Sequence, residues 1–138
     1  PCFLGTSLPL IQAPMAGVQD ARLALAAGAA GAMGSLPAAM LSLEALQREL
    51  QALQAGGHPY NVNFFTHVPP PPDPAREARW RAALAPYYAQ LGIDPAQAGG
   101  GASRQPFGPE AAEVLEGFRP TVVSFHFGLP GPQLLARV

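Results

Sequence analysis

Apolar and polar positions along the 138 residues follow two rhythms, separated by glycine and proline. Leu8–Met15 (LPLIQAPM) is a short apolar run without polar alternation. That pattern predicts a strand buried on both faces, as in a parallel sheet. Gly17 ends it, and Asp20 is placed to cap an Ala-rich helix over Ala21–Ala27 that Gly28 stops. Gly31–Leu36 (GAMGSL) reads as a second strand whose glycines permit close backbone packing. Ser42 is an N-cap for a helix carrying Leu43, Leu46, Leu50 and Leu53 as one apolar stripe, ended at Gly56-Gly57. Tyr60–Phe65 (YNVNFF) is a third strand.

The next stretch is less regular. Pro69–Pro72 predicts an extended polyproline segment. Asp73-Pro74 reads as N-cap and first helical residue, and Trp80, Leu84, Tyr87, Tyr88 and Leu91 keep helical spacing. Pro86 is expected to kink or split that helix. Residues 92–108, with Gly99-Gly100-Gly101, form an irregular loop too long for an idle connection. A helix over Pro109–Glu116, a fourth strand over Thr121–Phe127 (TVVSFHF) and a helix start at Gln133–Arg137 complete the chain. Repeated strand–helix units imply a parallel α/β sheet. Functional residues in such folds sit at the C-terminal strand ends.

Composition narrows the chemistry. All eight basic residues are Arg and the net charge is −1, so no basic patch exists to neutralise nucleic-acid phosphates. A single cysteine, Cys2, excludes an intrachain disulfide framework and a cysteine zinc site. No apolar run reaches the roughly 18 residues that span a bilayer. No nucleic-acid or membrane partner is therefore expected, and a reduced, cytoplasmic setting fits best. Gly 15 and Pro 17 are high for a globular chain, but they fall mostly between the patterned segments, as punctuation.

Three strand ends carry candidate chemistry. At Gln12–Gly17, Pro14 removes an N–H and Gly17 permits a tight turn, so backbone groups and Met15 could face a flat ring. The same residues also suit a buried strand with an ordinary turn. In Asn61–Phe65, period-2 alternation puts Asn61, Asn63 and Phe65 on one face. Asn63 could fix a heterocycle through its donor and acceptor, or simply be a satisfied buried amide. His126, between Phe125 and Phe127 and before Gly128, is expected in an apolar wall, as a base or hydrogen-bond partner, or as a core histidine bonded to backbone. His58 reads as a solvated loop residue and His67 has no recognisable partner. The three His form no metal-ligand spacing, so no metal is expected.

QAPMAG, NVNFF and VVSFHFGLP, in this order, together resemble the nitronate monooxygenase family. The resemblance extends from LPLIQAPMAGV through GAMGSL and NVNFFTH to DPAREARWRAALAPYY. It implies an FMN-dependent TIM-type (βα)8 barrel that oxidises alkyl nitronates with O2 to carbonyl compounds and nitrite. It also implies that Ala13, Pro14 and Met15 line the flavin ring and that Asn63 contacts the flavin. His126 is implied as the base for nitroalkanes and polar partner of the nitronate, and Gly34 and Ser35 as a glycine-rich strand end with a packing role. The usual Thr-Pro and Asn-Ala-Gly steps are replaced in GVQDARLALAAGAAGAMGSL.

The family's later glycine-rich segments, which hold the FMN phosphate, are absent. Residues 1–138 are accordingly expected to be the first four strands of an incomplete barrel, its N-terminal half. Pro1 fits a start left by initiator-Met removal, and Val138 is expected to fall inside a helix. Such a fragment is expected to be inactive alone. Two alternatives stand beside this reading: another FMN-barrel reductase, using NAD(P)H on quinones or enoyl thioesters, and a non-catalytic half-barrel.

Overall fold

A computed structural model describes residues 4–96 and 104–138. They form two compact units, residues 4–67 with 104–138, and residues 68–96. Cys2 and Gly99-Gly100-Gly101 lie outside the described residues.

The larger unit is built from α1 (Ala21–Ala29), β1 (Gly34–Pro37), α2 (Leu43–Gly56), β2 (Tyr60–Phe65), α4 (Pro109–Phe118), β3 (Val122–His126) and α5 (Pro132–Leu135). The caps behave as their side chains predict. Asp20 accepts from Arg22 N at 2.9 Å, and Ser42 Oγ accepts from Ala45 N at 3.2 Å. The three strands are parallel and neighbour one another in chain order, β1-β2-β3. Strands that add in sequence, with no reversal of order, wind as a barrel does and not as a doubly wound sheet.

The predicted first strand is the main correction. Four strands are expected from the sequence, and three form among the described residues. Leu8–Met15 runs beside β1 but makes only an isolated parallel bridge, Ile11 to Met33. Leu8 N donates to Gly31 O, Met33 N to Leu10 O, and Gln12 N to Met33 O, each at 2.9 Å. The next rung would need an N–H from Pro14 to Ser35 O, and proline has none. Two glutamine side chains take over there. Gln12 Oε1 accepts from Ser35 N (2.9 Å), Gln19 Nε2 donates to Ser35 O (2.6 Å), and Gln12 Nε2 donates to Gln19 Oε1 (2.9 Å).

One face of the sheet holds the core. Leu36, Tyr60, Val62 and Phe64 pack with Ala21 and Ala24 of α1, Leu46, Leu50 and Leu53 of α2, and Ala112 and Leu115 of α4. Gly34 lets α1 approach β1 so closely that a Cβ there would collide with the Ala24 carbonyl. Phe107, on the irregular connection, joins this core. Its N–H donates to Phe65 O (2.7 Å), and its ring lies 4.9 Å from Phe64 and 5.2 Å from Phe125.

The smaller unit carries the proline run and α3 (Pro74–Leu91), capped by Asp73, which accepts from Arg76 N at 2.9 Å. The helix is continuous through Pro86, where the sequence predicts a kink or split. Pro86 forfeits the bond to the Ala82 carbonyl, but both residues are exposed, so water can serve that carbonyl. None of the α3 residues is buried, Trp80 and Leu91 included. No described helix is long and apolar enough to cross a membrane.

Candidate active site

The polar face of the sheet is set by register. Ser35 pairs with Asn61, Asn63 with Ser124, and Phe65 with His126. Since successive side chains alternate, Ser35, Asn61, Asn63, Phe65, Ser124 and His126 share the face opposite the helices. Val123 and Phe125 turn the other way and pack against the core. Parallel pairing then gathers the C-terminal ends of the strands at one edge.

Ser35 and Asn61 form the deeper layer. Ser35 is fully buried, and Asn61 Nδ2 donates to its Oγ at 3.0 Å. Asn61 Oδ1 is buried with no hydrogen-bond partner. An acceptor left in that state carries a desolvation cost and is open to a donor.

Asn63 and His126 form the next layer. Asn63 is 3% exposed. Its Nδ2 reaches Ser124 Oγ at 2.9 Å and Ser124 O at 3.2 Å, and its Oδ1 lies 3.0 Å from His126 Nδ1. The sequence predicts His126 within an apolar wall; the structure leaves it exposed at the strand end. The aromatic surroundings are nevertheless present. Phe65 meets the His126 ring edge-on at 5.9 Å and the Phe127 ring at 5.0 Å.

The turn after β3 is tightly held. Phe127 has φ 72°, a left-handed conformation uncommon for a bulky residue, and is 70% exposed. Such a conformation costs about 1–3 kcal/mol and survives only when its neighbours impose it. Thr66 is the constraint. Its N–H donates to His126 O (3.0 Å), and its hydroxyl lies 2.9 Å from both His126 O and Gly128 O. His67 adds its ring 6.2 Å from Phe127, with its Nδ1 buried and unpartnered.

Ala13, Pro14 and Met15 lie on the loop after the first extended segment. Val18 N donates to Met15 O at 3.3 Å, with Gly17 at φ 82° in the third turn position, as a type II turn requires. Ala13 is exposed and Met15 is 45% exposed, so a polarisable thioether and a proline-flattened backbone are available to a planar ring. Gly34 packs closely against Ala24 of α1, whereas Ser35 accepts from Asn61 Nδ2. Among the described residues no group of three His, Cys, Asp or Glu could hold a metal ion.

Sequence patterns alone do not single out Gln12, Gln19, Thr66 and Ser124, whose side chains hold the candidate residues in place. For Ser124 a signal existed: it alternates with Val123 and Phe125 and so shares the face of His126. Nothing local in sequence pairs Gln12 with Gln19, or Thr66 with the turn at Gly128.

Known proteins resemble this chain in sequence and in fold. The sequence model of the family "Nitronate monooxygenase" matches residues 2–138. A nitronate monooxygenase of Paraburkholderia phytofirmans is 35% identical over 138 residues, covering 99% of this chain and 38% of the relative. One from Pseudomonas aeruginosa is 40% identical over 132 residues, covering 93% and 37%. The crystal structure of nitroalkane oxidase from Streptomyces ansochromogenes superposes with a TM-score of 0.75 at 33% identity, covering 96% of this chain and 38% of that one. FabK from Thermotoga maritima shares the fold, with a TM-score of 0.60 at 17% identity. The chain thus spans well under half the length of these relatives, and its three parallel strands form part of a barrel. With the family model matched over residues 2–138 and relatives 35% and 40% identical across nearly the whole chain, the chain belongs to the nitronate monooxygenase family.

Proposed function

We propose that the protein containing this chain is an FMN-dependent nitronate monooxygenase, which oxidises alkyl nitronates with O2 to a carbonyl compound and nitrite. The observation that carries this reading is the placement of His126. It stands exposed at a strand end, its Nδ1 tied to a buried amide and its ring beside those of Phe65 and Phe127. The Streptomyces relative's name, nitroalkane oxidase, supports the same substrate class.

In this proposal Ala13, Pro14, Met15 and Asn63 would hold the flavin. Bound there, FMN supplies the redox chemistry. The residues of this chain bind and orient. His126 Nε2 takes the proton from the carbon next to the nitro group of a neutral nitroalkane. The protonated ring then offers an Nε2–H to the nitronate anion, a charge-assisted hydrogen bond. Phe65 and Phe127 supply an apolar wall for the alkyl group and keep water from it.

Replacement of His126 by Asn tests the assignment. Nitroalkane turnover by the whole protein is expected to fall by about 10²–10⁴-fold, the usual worth of a positioned acid–base group. Unchanged turnover overturns the role given to His126. Rapid anaerobic bleaching of the flavin by NADH would replace the oxygenase reading with a reductase.

A further inference from the structure

We infer that Asn63, anchored by Ser124, is a positioning residue that fixes the tautomer of His126 and so decides which ring nitrogen faces the substrate. The inference rests on the role proposed for His126, but it concerns a property of the imidazole that can be read without any substrate.

The Ser124 carbonyl sets the direction of every bond that follows. A carbonyl oxygen can only accept, and it lies 3.2 Å from one end of the Asn63 amide. That end must be the NH2 group. The Ser124 hydroxyl, 2.9 Å away, accepts from the same nitrogen. A flipped amide would set two carbonyl oxygens against each other in a place almost closed to water, since Asn63 is nearly fully buried. The amide oxygen therefore faces His126 Nδ1 at 3.0 Å, and only an Nδ1–H can satisfy it. In the neutral ring one nitrogen carries the proton and the other a lone pair. With the proton held at Nδ1, the bare lone pair sits on Nε2.

The backbone that carries the ring is held as well. Thr66 N and Oγ1 hold the carbonyls on either side of Phe127, and β2–β3 pairing sets Phe65 opposite His126. Register alone puts Asn63 and His126 at diagonal positions on one face, within reach of their side chains. A neutral His126 so oriented has Nε2 as an acceptor, which suits it to remove a proton from a neutral nitroalkane. The opposite tautomer presents an N–H and cannot accept one.

Nitrogen-15 NMR of the histidine rings in the whole protein, under conditions where the ring is neutral, reads the tautomer directly. In the unaltered protein His126 is expected to carry its proton at Nδ1. A ring protonated at Nε2 overturns the inference, even if His126 proves essential for turnover. Asn63→Leu keeps the volume and removes the acceptor. The Nε2–H form is expected to become the major neutral species, with kcat/KM for nitroalkane about 10²-fold lower. Ser124→Ala leaves the Ser124 carbonyl in place and is expected to keep the Nδ1–H form. Retention of Nδ1–H in a folded Asn63→Leu protein also overturns the inference. If that variant fails to fold, the measurement on the unaltered protein still decides. An Nδ1–H ring together with full activity of His126→Asn would uphold the positioning and sink the proposed function instead.

Discussion

The two faces of the sheet share one backbone and carry opposite chemistry. Toward the helices stand Leu36, Val62 and Phe64, buried against three leucines of α2, the alanines of α1, and Ala112 and Leu115 of α4. On the other face stand Ser35, Asn61, Asn63, Ser124 and His126, joined by side-chain hydrogen bonds. The apolar face gains from area removed from water, about 25 cal/mol per Å2, and does not depend on direction. The polar face gains little net energy per hydrogen bond, but each bond fixes which atom is a donor and which an acceptor. Stability is therefore concentrated on one face and chemical specificity on the other.

Each face has one exception. Tyr60 belongs to the apolar core, yet its hydroxyl is buried without a partner. Burial pushes its phenol above the usual value of 10.0. On the polar face, the unpartnered atom is Asn61 Oδ1.

The largest effect expected is at the contact between α1 and β1. Gly34→Ala places a Cβ against backbone atoms of Ala24, which cannot yield as a flexible side chain can. A loss of about 3 kcal/mol or more in urea unfolding is expected. An unchanged midpoint would show that helix and strand are less tightly joined than this contact demands.

Leu50→Ala is next. Leu50 is fully buried in the core, and its truncation is expected to cost about 2–5 kcal/mol. The His126 tautomer should stay as it was. If the ring signals change as well, the two faces are coupled and the comparison fails.

Ser35→Ala probes the polar face. It removes the acceptor of Asn61 Nδ2 and leaves a second unpaired group on that amide. A loss of about 1–3 kcal/mol is expected by the same unfolding measurement. No loss would show that the deeper polar layer contributes nothing to folding.

Tyr60→Phe should have the smallest effect, neutral or stabilising by up to about 1 kcal/mol, because it deletes a polar atom that has no partner. It should also change the alkaline limb of stability. The folded phenol ionises above its unfolded value, so its contribution is complete below that value and is lost as pH rises through the folded one. The variant is expected to lack this loss when unfolding is followed at increasing pH. An alkaline limb identical to that of the unaltered protein would assign it to other groups.

Much of the fold was legible in the sequence. Period-3.6 leucines and Ser42 marked α2, and the β-branched and aromatic run at Thr121–Phe127 marked β3. Tyr60–Phe65 forms the strand its alternation predicts. Leu8–Met15 was less faithful, because apolar content predicts burial while Pro14 withholds the N–H that ladder pairing needs. Phe107 was invisible as a core residue, since a loop has no periodicity to reveal which side chain turns inward. The α3 stripe misled for the opposite reason: helical spacing shows that residues share a face but says nothing of what lies against it.

By itself the sequence determined the order of elements from α1 onward, the Asp20, Ser42 and Asp73 caps, the face shared by Asn61, Asn63 and Phe65, and the motifs that mark the family. These follow from local periodicity and from residue types at fixed spacing. Only the tertiary structure decided that Asn63 meets His126, 63 positions away, and that Ser124 turns its amide. Hydrogen-bond direction is a property of atoms brought within about 3 Å. No spacing along the chain specifies it until parallel register sets β2 beside β3.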